Sequence, residues 1–279
     1  PVRNQVSRAK EVVRGTPVGE TAAEAYRSAI GSFAKILENT AVSTVSNTKV
    51  ITEFKTAGHK VSRLEDIRNL DLEIIHSVAR TRRNQFGHAG AAAASGMASG
   101  AAITGGGFFF FKDSIHGRGA KQAPGFGVVA SAVAADIAAT FTLSTRVVAS
   151  TARYYGFDPK QQEEQIFMMS VMGLGMATGT SAKAAAQAEL SQLTQLLFRG
   201  ASWKKLNEKT FTKIVQNFAN KFSVRLTQRM LGRVVPIAGV AIGGGLNYAQ
   251  VSKIGDAAND AYLERFLVEK GGVIPTVSP

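Results

Sequence analysis

Apolar positions recur at intervals of three and four along most of the chain, a spacing that predicts helices. From Thr21 to about Thr56 the apolar positions Ala22, Tyr26, Ala29, Ile30, Phe33, Ile36 and Leu37 predict one helix or two. Within that stretch Val42 to Val50 is β-branched and also suits a strand. Arg63 to Arg83 predicts a helix with Leu64, Ile67, Leu70, Leu72, Ile74, Ile75 and Val78 on its apolar face. Its acids (Glu65, Asp66, Asp71, Glu73) come early and Arg80, Arg82 and Arg83 late, as a helix dipole favours. Further helices are predicted from about Val128 to Tyr155, Lys160 to about Ala188, Trp203 to Arg233 (one or two), and after Pro236 to near Glu269. Phe157-Asp158-Pro159 reads as a stop and restart, with Asp158 as N-cap and Pro159 at the first helical position. The expected fold is all-α: a multi-helix bundle with central Gly/Ala-rich buried helices and peripheral basic amphipathic ones.

Three stretches are nearly free of charge. Phe86 to Phe111 has no Asp, Glu, Lys or Arg for 26 residues. As a helix it presents Gly87, Gly90, Ala94, Ala98 and Ala101 or Ala102, small residues that let backbones approach closely. Gly105, Gly106 and Gly107 then break it, and Phe108, Phe109, Phe110 and Phe111 follow. The second stretch, IFMMSVMGLGMATGTSA, holds Gly173, Gly175 and Gly179, expected to thin the helix for close packing. The third is PIAGVAIGGGLNYAQ, from Pro236. The first is long enough to span a bilayer but poor in bulky residues, so buried helices are expected, with an inserting hairpin as the alternative. Residues 1–20, with Gly15, Pro17 and Gly19, read as a flexible arm, 21–270 as one helical domain with a possible inserted loop at 101–127, and 271–279 as a tail.

Composition sharpens this picture. The 279 residues include no cysteine, which excludes a disulfide framework, a thiol nucleophile and cysteine metal sites. Mean hydropathy is +0.02, too low for a polytopic transporter. Lys plus Arg number 33 against 20 Asp plus Glu, a formal net charge of +13. The excess is uneven: +5 over residues 1–85, +1 over 86–182 and +7 over 183–279. Most of the last figure lies in a run where Lys204, Lys205, Lys209, Lys213, Lys221, Arg225, Arg229 and Arg233 alternate with Trp203, Leu206, Ile214, Phe218, Phe222, Leu226 and Met230. Such a run is either a solvated helix face over the core or a surface for anionic headgroups. The Phe108–Phe111 tetrad is either buried between layers or dips into lipid, with Lys112, Arg118 and Lys121 at the headgroups. The first fifteen residues are basic and polar without an apolar signal core, so a cytoplasmic location, peripheral to the inner membrane, is expected.

Catalytic motifs are sparse. There is no GxxxxGK[ST], and GLGMATG is one residue too long for a dinucleotide fingerprint. His59, His76, His88 and His116 form no paired metal spacing, and no G-x-S-x-G occurs. No metal or cofactor is expected. Nucleic acid is disfavoured, because no RNP, KH or zinc-finger pattern is present. Asp136, in an apolar helix, has two readings: a structural acid paired with Arg146, Arg153 or a capped helix end, or a proton or ligand site.

The chain resembles the bacterial EcsC family. The resemblance begins with LDLEII at Leu70 to Ile75 and is strongest in ADIAATFTLSTRVVASTARYYGFDPKQQEEQIFMMSVM, Ala135 to Met172. The matching positions there are Asp136, Tyr155, Gly156, Asp158, Glu163 and Glu164. A second block, Arg233 to Leu267, matches at Pro236, Gly239, Gly243, Asn247, Ala257 and Ala258. Residues 101–127 look like an extension beyond the family pattern. The resemblance implies a helical, membrane-associated protein of a family named for a product encoded beside an ABC transporter pair, with no catalytic residues to carry over.

The expected function is therefore non-enzymatic: peripheral association with an anionic phospholipid membrane, or with the cytoplasmic face of an ABC transporter or other membrane protein. Two alternatives remain. One is a membrane-inserting effector that perturbs bilayers. The other is a hydrolase, which would need Asp136, His88 and Tyr155 gathered in one pocket.

Overall fold

The structure is a computed structural model that describes residues 46–81, 124–198, 214, 215, 218 and 239–271, with side chains placed for 46–79, 139–198, 214, 215, 218 and 249–271. All regular elements among these residues are helical, in agreement with the expected all-α class. In chain order they are α1 (Asn47–Thr56), a 3₁₀ helix (Leu64–Asn69), α2 (Leu72–Thr81), α3 (Pro124–Tyr154), α4 (Gln162–Met176), α5 (Thr180–Phe198) and α6 (Gly239–Gly271).

The β-branched segment before Val50 resolves as helix from Asn47 onward. The Ser46 hydroxyl accepts the Lys49 N–H at 3.1 Å and caps α1, whose Val50 and Phe54, four apart, are fully buried. The helix predicted over Arg63 to Arg83 is two elements. Leu64, Ile67 and Leu70 are spaced by three, and on a 3₁₀ helix residues three apart eclipse one another. Leu64 and Ile67 are thereby both buried, and Leu70 packs at the edge of the core in extended backbone. The Asp66 carboxylate accepts the Ser62 and Arg63 N–H groups, each at 2.8 Å, which anchors the start of the turn. Those bonds, the Arg63 N–H foremost, hold the carboxyl below its ordinary value. The helix restarts where the Asp71 carbonyl accepts from Ile74 and Ile75.

The single helix expected over Lys160 to Ala188 is also two. Ala177 turns extended, and Gly179, at φ +86°, reverses the chain into α5. Gln161 rather than Asp158 precedes the first residue of α4. Asp158 instead closes a local turn, accepting the Lys160 N–H at 3.1 Å. The glycines at 243–245 do not interrupt α6, which runs 33 residues, roughly 50 Å.

The core is organised around α4 and α6. α4 is buried nearly all round, with Ile166, Phe167, Met168, Met169, Val171, Met172 and Met176 inside, as befits a helix enclosed by others. α6 packs along both α3 and α4 and touches α5 and the 3₁₀ helix. Its buried stripe is Val251, Ile254, Ala258, Ala261, Tyr262 and Phe266. Of the three glycines expected to thin the 160–188 region, only Gly175 does so. A Cβ there would lie 2.6 Å from the Ile254 Cα, so α6 crosses α4 on that glycine. Gly173 faces open space, and Gly179 is a turn residue. Of the segment from Trp203 to Arg233, Ile214, Val215 and Phe218 are described. Val215 is in the core, Ile214 and Phe218 pack on it, and the Phe218 ring lies 6.2 Å from that of Phe141 on α3.

Two substitutions on α4 therefore have opposite expected signs. Gly175→Ala is expected to destabilise the protein by about 1–3 kcal/mol, the usual cost of overpacking against backbone. Gly173→Ala, with free space and a better helix former, is expected to stabilise by about 0.5–1 kcal/mol. Urea midpoints of the two variants check both.

Candidate functional site

The site is built on the turn that joins α3 to α4. α3 ends in a Schellman arrangement: the Gly156 N–H donates to the Arg153 carbonyl and the Phe157 N–H to the Ala152 carbonyl, both at 3.0 Å. Gly156 sits at φ +83°, which favours glycine. A Cβ there would also lie 2.8 Å from the Arg68 Cγ and 3.0 Å from the Leu64 carbonyl oxygen. The same residue thus makes the turn and admits the 3₁₀ helix against it. The turn delivers the Phe157 ring between two guanidinium groups, Arg265 at 4.0 Å and Arg68 at 5.4 Å from its centre.

From that ring a chain of charges runs from the interior to the surface. Glu164, on the first turn of α4, has a side chain only 3% exposed. One oxygen accepts the Tyr262 hydroxyl at 2.5 Å and the other accepts Arg265 Nη1 at 2.8 Å. Arg265 donates through Nε to Glu269 at 3.2 Å, and Glu269 accepts Arg68 Nη1 at 3.2 Å. Alongside, Lys270 bonds the Leu70 carbonyl and lies 3.5 Å from the Asp71 carboxylate. A buried carboxylate is costly unless paired and hydrogen-bonded, and here both oxygens of Glu164 are occupied. Burial alone would pull Arg265 down, but Glu164, then Tyr262 and Glu269, outweigh it and hold the guanidinium above its ordinary value. Burial, reinforced by the Glu164 charge, pushes the Tyr262 phenol well above 10.0.

Tyr155 lies beside this chain. Its ring stacks on Tyr262 with centres 6.3 Å apart, and its hydroxyl shares a 3.2 Å hydrogen bond with His76 Nε2. Burial, with the charge of Asp260, pushes its phenol up to about 12. Arg153 is fully buried, donating to Asn47 Oδ1 at 2.9 Å and to the Ala149 carbonyl at 3.2 Å. Burial draws it down to about 10, with Asp158 opposing, so it stays charged at neutral pH.

At the outer end of the charge chain a cavity of about 530 Å³ opens between the 3₁₀ helix and the end of α6. It is lined by Glu65, Arg68, Asn69, Phe266, Glu269 and Lys270. Among the described residues no three His, Asp or Glu side chains gather as a metal site.

The structure brings together three of the residues singled out from sequence: Tyr155, Gly156 and Asp158 all lie on the α3–α4 turn. Asp136 is on α3, and Gly239, Gly243 and Asn247 are on α6, with their side chains outside the described set. The Phe108–Phe111 tetrad, Lys204, Lys205, Lys209, Lys213, Lys221, Arg225, Arg229, Arg233, Pro236 and His88 lie outside the described residues. α3 is one continuous helix, so Asp136 and Arg153 are separated by roughly 25 Å and Asp136 and Arg146 by roughly 15 Å. Both spacings along the helix exceed the reach of an ion pair; the capped helix end also expected for Asp136 falls outside the described side chains. Asp136 and Tyr155, roughly 28 Å apart on the same axis, do not share a pocket either. The residues that carry the charge chain, Tyr262, Arg265, Glu269 and Arg68, went unnoticed in the sequence. The available signal was Tyr262 and Arg265 lying three apart on the apolar stripe of α6.

The sequence pattern of the EcsC protein family matches residues 121–267. The uncharacterized protein YdbA of Bacillus subtilis (strain 168) is 24% identical over 140 residues, 50% of this chain and 48% of that protein. The match thus spans about half the length of that curated relative. No solved structure matches the chain.

The buried and exposed ends of the charge chain are expected to differ in their contribution to stability. Glu164→Gln leaves Arg265 deep in the core with only Glu269 and is expected to cost about 3–5 kcal/mol. Arg68→Gln breaks a half-exposed pair and is expected to cost about 0–1 kcal/mol. Urea unfolding of both variants tests the gradient. In alkali, Tyr155 keeps its proton in the fold beyond its ordinary value of 10.0. Its contribution to stability is therefore full below that pH and lost as pH rises through about 12. The difference in phenolate absorbance between the wild type and Tyr155→Phe should appear near pH 12 rather than 10.

Proposed function

The chain belongs to the EcsC protein family, and from that premise we propose that it is a non-enzymatic, peripheral membrane-associated protein that binds anionic phospholipid. The observation that carries this reading is the segregation of charge. Lys plus Arg exceed Asp plus Glu by 13 over the chain and by 7 over residues 183–279. Residues 199–233 alone carry nine basic residues and one acid.

Three further observations support binding rather than catalysis or insertion. Glu164, Tyr262 and Arg265, buried together in the core, are engaged with one another. Ile214, Val215 and Phe218, within the basic run, pack on the core, so part of its apolar content faces protein. Among the described residues no helix is long and apolar enough to cross a membrane. The basic side chains then act electrostatically, at about 1 kcal/mol for each one near an anionic surface. Phe108–Phe111 supplies an apolar contact beside Lys112, Arg118 and Lys121.

Flotation with liposomes of graded anionic content tests the proposal. Binding is expected to rise with anionic lipid and fall with salt. Replacing Lys205, Lys209, Arg225 and Arg229 with Gln is expected to reduce partitioning by at least about tenfold. Replacing the four phenylalanines with Ser should remove any salt-resistant remainder. Release of an encapsulated dye would favour insertion instead. A protein that stays at the bottom of the gradient under all conditions contradicts direct lipid binding and turns attention to an acidic face of a membrane protein.

A further inference from the structure

We propose that the cavity between the 3₁₀ helix and the end of α6 binds a small zwitterion that carries a primary ammonium and a phosphate, the charge layout of phosphoethanolamine. Its volume of about 530 Å³ is within the range of small-molecule sites. Its lining mixes signs, Glu65 and Glu269 with Arg68 and Lys270, over one wall of Phe266. Either acid disfavours a plain anion, and either cation disfavours a plain cation.

The bonding state of each group decides which are available. Glu269 is held by Arg265 and Arg68, and Lys270 by Leu70 and Asp71. Glu65 makes no hydrogen bond or ion pair among the described residues, although its neighbour three positions on is an arginine. Arg68 turns away from it, placing Nη1 on Glu269 and its guanidinium over Phe157. Side chains three apart on a 3₁₀ helix stand eclipsed, roughly 6 Å apart along the axis. A carboxylate with no partner among the described residues and a guanidinium that spends one N–H on Glu269 therefore both line the cavity. The guanidinium fork suits a phosphate, and the carboxylate accepts from an ammonium. A quaternary ammonium has no N–H to give, so a choline group fits less well.

The ligand is either free in solution or the headgroup of a lipid. The site does not depend on the lipid-binding reading, since a soluble probe can occupy it whether or not the protein floats with vesicles. Calorimetric titration of the full chain with O-phosphoethanolamine is expected to give saturable binding. Glu65→Gln, which removes no hydrogen bond or ion pair among the described residues, should weaken it at least tenfold, Arg68→Gln should abolish it, and phosphocholine should bind at least tenfold more weakly. No saturable binding, or binding unchanged in Glu65→Gln, overturns the proposal. Vesicles of equal anionic content with either phosphatidylethanolamine or phosphatidylcholine then identify the source. A preference for the former that Glu65→Gln removes assigns the site to a lipid headgroup. Soluble binding without that preference upholds the site and assigns it a free ligand.

Discussion

A carboxylate removed from water must have partners for both oxygens, and the packing of this protein follows from how Glu164 obtains them. It sits at the start of α4, the helix most enclosed by others, where an unpaired charge would be untenable. Tyr262 and Arg265 reach it from α6, one helical turn apart. That pairing fixes the rotation of α6 about its own axis and sets its register along α4. The close crossing of Ile254 on Gly175 lies farther along the same interface and depends on the same register. Outward from Arg265, Glu269 and Arg68 extend the alternation of charge to the 3₁₀ helix. Phe157 is held between the two arginines, so the α3–α4 turn is fastened by the same chain. One buried acid thereby ties together four elements that are distant in sequence.

The helical class was legible because periodicity alone determines it, and Phe157-Asp158-Pro159 stood out as the turn between two helices. What that turn does was not legible. Gly156 is needed for its left-handed backbone and for the approach of Arg68, and only the second requires knowing the tertiary neighbour. Leu64, Ile67 and Leu70 carried a spacing of strictly three, the mark of a 3₁₀ helix, but following apolar positions at four blurred it into an α pattern. Gly173 and Gly175 look alike in sequence, and only the position of Ile254 separates open space from backbone contact. Glu163 and Glu164 stood in the sequence only as positions matching the family pattern. One of them is instead the buried centre of the charge chain, because α4 is enclosed and the second acid faces α6. Asp136 drew attention as a lone acid in an apolar helix, yet the acid that organises the core is the one whose partners lie about a hundred residues away.

The basic run gives the proposed function its content. Residues 199–233 carry nine cations against one acid, so their interactions respond to salt and to nearby anions. Long-range attraction to an anionic surface falls off within a Debye length, about 8 Å at physiological salt, so such segments act only where they meet it. Under the proposed function the labour divides: the basic segments would meet the anionic surface, and the helices packed on α4 would not.

Hydrogen exchange of the full chain with and without anionic vesicles tests this division most directly. The account predicts that vesicles raise protection in the basic segments, foremost 199–233, and leave α3, α4 and α6 unchanged. Loss of protection along α4 or α6 would mean that the core opens onto the membrane, and unchanged exchange in the basic segments would mean that they do not meet it. Either result contradicts the account.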